Sequence, residues 1–236
     1  MRGHEEDPLS RGHICPKAFA LQDIHDDPDR LRAPVVRTAQ GEWKEVSWDE
    51  AITYAAQRLS AVQAEHGDDA LAVYLGNPNV HSLGALTHHP TLVRLLRTRN
   101  RFSATSVDQL PHHVASWALY GHQYLLPVPD IDRTALLVLV GHNPTASNGS
   151  LWTVPDFPQR RRELAARSGR LVVLDPRRTE TAKIADEHHF VRPGSDAAVL
   201  LAIVRELLEG DLAAPAEYVH GMDRVRDAVA GFTPEL

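Results

Sequence analysis

The chain has 236 residues, a hydrophobic fraction of 43% and a formal net charge of -6. This length suffices to bury a core as one large domain or two modest ones. The net charge is negative and the arginines are scattered among acidic residues, so the sequence has no basic cluster of the kind that binds nucleic acid. We therefore expect no nucleic acid as a partner. The apolar runs are far shorter than the roughly 20 residues that a membrane helix needs, so no membrane span is expected.

The cysteine content and the first residues of the chain indicate the cellular compartment in which the protein is expected. Cys15 is the only cysteine, which rules out an intramolecular disulfide and is compatible with a reducing compartment. Residues 1–17 contain neither the apolar segment of a secretory signal peptide nor a twin-arginine motif. We therefore expect a cytoplasmic protein.

The first part of the chain predicts an irregular arm, then a helix and a strand. Residues 1–46 are rich in Pro, Asp, Arg and Gly and have little periodicity, which is typical of loops. The sequence SWDE at 47–50 is a capping box, and the apolar spacing after it predicts a helix from 48 to about 65. The apolar run at 70–75 does not alternate, which predicts a strand covered on both faces.

Helices and strands alternate along the rest of the chain. Further helices are predicted at 82–97, with a bend at Pro90, and at 111–120, 156–168, 195–210 and 222–230. Further strands are predicted at 135–140, at 170–174 and around residues 190–191. This order predicts an α/β fold with a largely parallel sheet and flanking helices, preceded by the irregular arm.

Loops that follow the predicted strands are the candidate ligand sites, because ligands of open α/β sheets bind at the carboxyl ends of the strands. The loop GHNPTASNGS at 141–150 combines glycines, which allow close approach, with polar side chains that suit a phosphate or a pterin edge. A tight turn that needs these residues for backbone reasons is an equally good explanation. The loop has no GxGxxG spacing and no GK[ST], so ordinary NAD or ATP binding is not indicated.

Acidic residues follow two of the predicted strands. Asp175 ends the run LVVLD, where a carboxylate can accept hydrogen bonds from ribose hydroxyls, and Arg177, Arg178 and Thr179 follow it as diphosphate or base contacts. Alternatively, Asp175 caps a helix and the arginines are surface charges. Asp196 can pair with the N–H groups of a guanine, or it is a first-turn acid favoured by the helix dipole.

The residues alone do not indicate a metal site. Cys15 has no second cysteine near it. Pairs of adjacent histidines stand at 88–89, 112–113 and 188–189. Neighbouring residues point in different directions in a helix or a strand, so we expect solvated or singly bonded histidines rather than chelates.

Six motifs follow one another from about residue 8 to residue 210: PLSRGHICPK, SWDEA, GNP, GHNP, LDPRRTETAKIAD and VRPGSDAAVLLA. In this order they resemble the molybdopterin guanine dinucleotide oxidoreductases, a family that includes formate dehydrogenases and nitrate reductases. The resemblance implies a molybdenum or tungsten enzyme that binds molybdopterin guanine dinucleotide and passes electrons through a [4Fe-4S] cluster.

The same resemblance implies roles for individual residues. Cys15 resembles the last of the four cysteine ligands of the cluster. Lys17 resembles the basic residue on the electron path between cluster and pterin, although Ala18 stands where the family usually has glycine. The implied contacts to the pterin dinucleotide are Gly141, Asn143, Pro144, Ser147, Asp175, Arg177, Thr179 and Asp196.

The protein ligand to the metal is implied by the stretch NRFSATSVDQLPHH. Placing Pro111 on the family's proline sets Asp108 at the ligand position, where it would act with Lys17 in catalysis. An oxygen ligand suits a high-valent molybdenum or tungsten centre. Ser106 is the alternative ligand, and Asp108 can instead cap the following helix.

The chain also departs from the family pattern. The family places three cysteines upstream of the residue that matches Cys15, whereas none of the 14 residues before it is a cysteine. One cysteine cannot hold a four-iron cluster. The family pattern also continues well beyond residue 236.

These departures predict a fragment. Residues 1–46 would be a remnant of the iron–sulfur domain with its connecting arm, and residues 47–236 an incomplete pterin-dinucleotide-binding region. Such a chain is expected to be inactive alone, and its partners would be a small-molecule substrate and either an electron-transfer subunit or the missing parts of the enzyme. The alternative is a non-catalytic α/β module that keeps a nucleotide-binding or subunit-binding surface.

Overall fold

The computed structural model describes residues 2–152 and 154–233. The chain folds into two compact units: Met1–Pro16 with Pro127–Leu236, here called the split unit, and Lys17–Leu126, here called the inserted unit. Thr153 and Pro234–Leu236, which belong to the predicted region 47–236, lie outside the described residues, as does Met1 of the predicted arm. The functional division between residues 46 and 47 stays a prediction.

The inserted unit combines short strands with three longer helices. In chain order the elements from Pro16 onward are α1 (Pro16–Phe19), α2 (Leu21–Asp26), β1 (Val35–Arg37), β2 (Trp43–Glu45), α3 (Trp48–His66), β3 (Val73–Leu75), α4 (Leu83–Leu95), β4 (Arg101–Ser103) and α5 (Leu110–Tyr120). The helices predicted at 48–65, 82–97 and 111–120 are therefore present, with small shifts at their ends.

The start of α3 follows from its capping box. The Ser47 hydroxyl accepts a hydrogen bond from the Glu50 N–H at 3.2 Å, and the Glu50 carboxylate accepts one from the Ser47 N–H at 2.9 Å. These reciprocal bonds satisfy backbone donors that a helix leaves unpaired in its first turn. Gly67, at a φ of 86°, ends the helix.

The structure adds strands that the sequence pattern missed. β1 and β2 pair in antiparallel fashion within the arm that was predicted to be irregular, with Val35 opposite Glu45. β4 pairs in parallel with β3. Each of these strands has three residues, and β2 is exposed along its length, so none produces a detectable hydrophobic alternation.

The prediction that the strand at 70–75 is covered on both faces is wrong for the described residues. Tyr74, in the middle of β3, is 68% exposed, while Val73 and Leu75 on the other face are partly buried. Only three residues of the apolar run pair as a strand. The lack of alternation therefore did not signal burial on both faces.

The split unit contains the main sheet. In chain order its elements are β5 (Leu136–Val140), α6 (Pro144–Ser147), α7 (Phe157–Ala166), β6 (Arg170–Leu174), α8 (Glu180–Lys183), β7 (Glu187–His189), α9 (Asp196–Glu209) and α10 (Met222–Val229). The three strands are parallel and lie in the order β5-β6-β7. Parallel strands alternating with helices confirm the predicted α/β class. Within the described residues, none of the helices combines the length and the apolar character that crossing a bilayer requires.

β7 lies slightly earlier than predicted. The sequence placed a strand at residues 190–191, but the backbone pairing with β6 runs over Glu187, His188 and His189. Phe190 is 70% exposed and follows the strand. Because EHH is polar, the hydrophobic pattern pointed to the apolar residues after it.

One face of the main sheet carries the core. Leu171 and Val173 on β6 are fully buried, and Leu137 and Leu139 on β5 lie on the same face. They belong to a cluster that also contains Ile131, Trp152, Val154, Phe157, Leu164 and Ala182. On the opposite face of β5, Leu136 is 53% exposed. The described residues thus cover this sheet mainly from one side.

The turn between α7 and β6 depends on Gly169. Its N–H donates to the Leu164 carbonyl at 2.8 Å, which ends the helix. A Cβ at this position would lie 2.3 Å from Leu164 Cδ1 and 2.9 Å from the Leu164 carbonyl oxygen. Glycine therefore allows the buried Leu164 to sit directly against the turn that starts β6.

The core can be tested with one substitution on each face of the sheet. We expect Leu171→Ala to lower the free energy of unfolding by about 2–5 kcal/mol, since it leaves a cavity beside fully buried neighbours. The matched control is Leu136→Ala on the exposed face, which should cost far less. Urea unfolding followed by circular dichroism measures both. An equal decrease in the free energy of unfolding in the two variants would contradict a core on one face of the sheet.

Candidate functional site

The loops that follow β5 and β6 lie side by side at the carboxyl edge of the main sheet. The strands pair in register as far as Val140 and Leu174, and the Gly141 N–H then donates to the Leu174 carbonyl at 2.9 Å. Gly141 has a φ of 58°, and a Cβ there would meet nothing within 4 Å. The backbone of the first loop is therefore open to a ligand at this point.

A cluster of polar side chains joins these two loops. The Thr181 hydroxyl donates to Asn143 Oδ1 at 2.7 Å and accepts from the Thr145 N–H at 3.1 Å. The Thr181 N–H also donates to Asn143 Oδ1, at 3.2 Å. From the other end of the amide, Asn143 Nδ2 donates to the Glu180 carboxylate at 3.1 Å. Thr181 is completely buried, whereas the bond between Asn143 and Glu180 lies at the surface.

This cluster determines what Asn143 does. Both polar ends of its side chain are engaged within the protein, so it orients the loop around Gly141 and Ser147 instead of presenting a free amide. Sequence reasoning missed Thr181 because it lies inside the run TETAK, where nothing marks a threonine as buried. Pro144 is buried at the start of α6. Proline is tolerated in the first turn of a helix because the N–H that it lacks would have no partner within the helix there.

Asp175 stands directly after β6 at the same edge. It is 7% exposed, and its Oδ1 accepts from the Arg177 N–H at 2.8 Å. Thr179, which is also buried, caps α8 by accepting from the Ala182 N–H at 3.1 Å. Arg177 is exposed. The helix cap is thus supplied by Thr179, and Asp175 instead shapes the turn before it.

The histidines beside this edge have separate partners. His188 Nε2 lies 3.0 Å from the Asp175 carbonyl oxygen, whereas His189 Nε2 lies 3.1 Å from the Glu187 carboxylate. Adjacent strand residues point to opposite faces, so the pair does not converge on one point. In the described part of the chain, no group of three or more His, Cys, Asp or Glu side chains is arranged to hold a metal ion.

Asp196 starts α9, a few residues beyond β7. The preceding Ser195 makes no side-chain cap, and its hydroxyl donates to the Arg192 carbonyl at 2.7 Å. Arg192 and Ser195 line one end of a groove of about 580 Å³ along α9. Among the described residues, Asp196 makes no hydrogen bond to Asn143 or Asp175. It shares with them only the sheet edge from which its segment leaves.

The segment before Cys15 is a series of turns attached to α7. The Asp7 carboxylate accepts from the Ser10 N–H at 2.7 Å, and the Arg11 N–H donates to the Asp7 carbonyl at 2.8 Å. Gly3 approaches the Gly12 backbone so closely that a Cβ would lie 1.9 Å from the Gly12 carbonyl oxygen. Cys15 itself is partly buried and carries a free thiol.

Charged side chains connect this segment to α7. The buried Arg160 donates to the Leu9 carbonyl and pairs with Asp132, and Arg11 pairs with both Asp132 and Glu163. Bonds from Gln159 and then Arg11 hold the pKa of Glu163 below its ordinary value. Cys15 follows Arg11 by four residues in sequence.

Lys17 and Asp108 belong to the inserted unit. Lys17 is exposed in α1. Asp108 is exposed in the loop before α5, and its N–H donates to the Ala104 carbonyl at 3.1 Å. The N-cap of α5 is Gln109, so Asp108 does not cap that helix. The rival Ser106 donates its hydroxyl to the Ser103 carbonyl at 3.3 Å. Asp108 as a metal ligand stays a prediction.

Comparison with known proteins supplies the family. The family model described as molybdopterin oxidoreductase matches residues 30–214, most of the chain. The chain belongs to the molybdopterin oxidoreductase family. This confirms the resemblance inferred from the ordered motifs, and it makes the chain part of an oxidoreductase family.

Several curated relatives match over nearly the whole chain. Formate dehydrogenase H of Escherichia coli is 28% identical over 235 residues, which are 96% of this chain and 32% of the relative. The molybdopterin-containing subunit of thiosulfate reductase of Salmonella typhimurium is 27% identical over 100% of this chain and 30% of its own length. A nitrate reductase of Shewanella frigidimarina is 30% identical over 94% of this chain and 23% of its own. The chain therefore spans about a third or less of these relatives.

A solved structure supports the fold. Acetylene hydratase from Pelobacter acetylenicus matches with a TM-score of 0.63 and 23% identity, over 96% of this chain and 31% of that one. At this identity the likeness concerns the fold alone. It agrees with the α/β arrangement of parallel strands and flanking helices.

The link between the two loops can be tested at Thr181. We expect Thr181→Val, which keeps the shape and removes the hydroxyl, to lower the free energy of unfolding by about 1–3 kcal/mol, because Asn143 loses a buried donor. Thr181→Ser should recover most of that loss. Hydrogen exchange should show faster exchange at the Thr145 amide in the valine variant alone. Unchanged exchange in that variant would contradict the link.

The bond between Asn143 and Glu180 predicts a pH dependence. The pKa of Glu180 is lowered first by its own backbone N–H and then by Asn143. A lowered folded-state pKa means that the stabilisation is complete above the ordinary glutamate pKa of about 4.3, and is lost as the pH falls through the folded-state value. In an NMR titration, Asn143→Ala should raise the pKa of Glu180, whereas Asn77→Ala should leave it unchanged. A pKa that does not move in Asn143→Ala would refute this assignment.

Proposed function

We propose that this chain is the part of a molybdenum- or tungsten-dependent oxidoreductase that binds molybdopterin guanine dinucleotide. The observation that carries the proposal is the pair of adjacent loops at the carboxyl edge of the main sheet, joined through the buried Thr181. Ligands of open α/β sheets bind at this edge. Family membership supplies the chemical class of the ligand.

The residues of this edge fit a nucleotide. Asp175 Oδ1 accepts from a backbone N–H, while its Oδ2 accepts no hydrogen bond from the described residues and remains available for a ribose hydroxyl. Arg177 is exposed, so its guanidinium can contact a diphosphate. The open backbone at Gly141 allows close approach of the ligand. Asp196 would contact the guanine through its carboxylate.

Other residues at this edge of the sheet hold the loops in position in this proposal. Asn143 and Thr179 use their polar atoms within the protein, so we assign them to holding the loops in position. Pro144 and Ser147 belong to the short α6 between them, where the Ser147 hydroxyl accepts from the Gly149 N–H at 3.2 Å. In this proposal they shape the surface on which the pterin dinucleotide lies.

The redox part of the proposal concerns Cys15, Lys17 and Asp108. When bound, the metal–pterin group supplies two-electron oxidation and reduction of a small substrate. Asp108 would give the metal an oxygen ligand, and Lys17 would lie on the electron path. Cys15 would be one ligand of a [4Fe-4S] cluster in the intact protein. One cysteine does not suffice for that cluster, so the remaining ligands would come from other polypeptide.

The proposed function also implies an electron-transfer partner and a compartment. Electrons would be exchanged with a partner subunit or with the missing parts of the enzyme, and the protein would act in the cytoplasm, which its single cysteine favours. The single cysteine also favours a second candidate function, a non-catalytic module that keeps the nucleotide-binding edge without the cluster.

The proposal predicts a bound pterin nucleotide. We expect the chain, purified from a host that makes molybdopterin guanine dinucleotide, to release a fluorescent oxidised pterin and GMP in equal amounts after acid treatment. Asp175→Ala combined with Thr181→Val should lose both, since one removes a ribose acceptor and the other loosens the two loops. The exposed Asp211→Ala should retain both.

The outcome separates the candidates. Pterin, GMP and molybdenum or tungsten together support the oxidoreductase, while a guanine nucleotide without pterin supports the non-catalytic module. The absence of both pterin and guanine nucleotide, at protein amounts where a bound equivalent is measurable, would refute the binding function. Retention in the double variant would move the site away from this edge.

A further inference from the structure

One side chain anchors the segment that carries Cys15. Arg160 lies in the first turns of α7 and is 5% exposed. Its guanidinium donates to the Leu9 carbonyl, to the Asp132 carboxylate and, at 2.9 Å, to the Pro155 carbonyl. These acceptors come from the N-terminal segment, from the loop before β5 and from the residue before the α7 cap. A single buried cation thus joins three parts of the split unit.

The neighbouring arginines of α7 have different partners. Arg161 donates to Asp186 at 2.9 Å, and Arg162 is exposed and donates to Gln159 at 2.6 Å. Neither forms a hydrogen bond or an ion pair with the described residues of the N-terminal segment. Of the three consecutive arginines, only Arg160 reaches Leu9. Helical geometry explains this, because successive residues project about 100° apart around the axis.

The other ion pairs of the described part of this segment are more exposed. Arg11 pairs with Asp132 at 2.9 Å and with Glu163 at 3.2 Å, and its side chain is 48% exposed. His13 Nδ1 lies 4.0 Å from the Asp156 carboxylate. Exposed ion pairs contribute little to the free energy of unfolding, whereas hydrogen bonds from a buried charged group contribute more. Arg160 is therefore the main attachment between α7 and the residues that lead to Cys15.

We propose that Arg160 is the positioning residue for Cys15. It fixes the carbonyl of Leu9, and the turns from Asp7 to His13 transmit that position to the cysteine six residues later. The guanidinium is needed because three acceptors from separate segments require a planar group with several directed donors. A lysine at this position would keep the charge opposite Asp132 and lose this geometry.

The consequence for redox function rests on the proposed function. If Cys15 holds an iron of a cluster, the position of the cluster relative to the main sheet depends on Arg160, without any contact between Arg160 and the cluster. The anchoring itself is independent of any cofactor. It can therefore be tested on the chain alone, and its failure is distinguishable from a failure to bind pterin nucleotide.

The single cysteine provides a specific probe. A nitroxide spin label attached to Cys15 reports the mobility of this segment by electron paramagnetic resonance. We expect a broad, immobilised spectrum for the otherwise unchanged chain and a several-fold shorter rotational correlation time in Arg160→Ala. Arg160→Lys should resemble the alanine variant, since lysine keeps the positive charge but lacks the planar guanidinium with its several directed donors. The matched control Arg162→Ala should leave the spectrum unchanged.

Circular dichroism of each labelled variant separates anchoring from general destabilisation. The proposal requires a mobile label in a variant whose helix content and unfolding midpoint show a folded protein. An immobilised label in folded Arg160→Ala or Arg160→Lys would overturn it. If Arg160→Ala does not fold, Arg160→Lys decides the question, and Arg11→Ala should then free the label less than Arg160→Lys does. Equal or greater mobility in Arg11→Ala would assign the anchor to Arg11.

Discussion

The structure of the candidate site depends on one buried hydroxyl. Thr181 comes from the loop after β6, and its partners Asn143 and Thr145 come from the loop after β5. Strand pairing aligns the ends of β5 and β6, but it does not determine how the loops beyond them meet. The Thr181 hydroxyl joins them, and leaving this buried group without its partners would cost about 1–3 kcal/mol. Gly141 itself is held beside Asp175 by its N–H bond to the Leu174 carbonyl, and the course of the loop from Asn143 onward follows from the Thr181 hydroxyl.

A second constraint comes from charge. The N-terminal segment has little apolar surface with which to pack, and it contains two glycines at a close backbone approach. Its attachment to α7 therefore relies on the buried guanidinium of Arg160 and on the exposed pairs of Arg11. Hydrogen bonding orders the loops at the sheet edge, and ion pairing orders the segment that leads to Cys15. Both kinds of contact belong to the split unit, whose apolar core lies on one face of the main sheet.

Much of the fold could be predicted because its signals are local. The capping box at Ser47, the apolar runs of β5 and β6 and the spacing of α9 each specify an element directly. The polar β7 and the three-residue β1, β2 and β4 could not be predicted, because they are too short or too polar to show a hydrophobic pattern. At the site, the ordered motifs indicated the family and the loops, whereas the roles of Thr181 and Arg160 arise from contacts distant in sequence. The sequence of three consecutive arginines does not indicate which of them is buried.

We propose that the two joined loops form the surface that would bind the guanosine diphosphate half of a molybdopterin guanine dinucleotide. Amide chemical shifts of the isotope-labelled chain, followed during titration with GDP and with ADP, test it most directly. The account predicts that GDP shifts a contiguous set of amides around Gly141, Thr145 and Arg177, with weaker effects from ADP. Saturable shifts confined to the α9 groove near Arg192, or no shifts at the two loops at millimolar GDP, would contradict it.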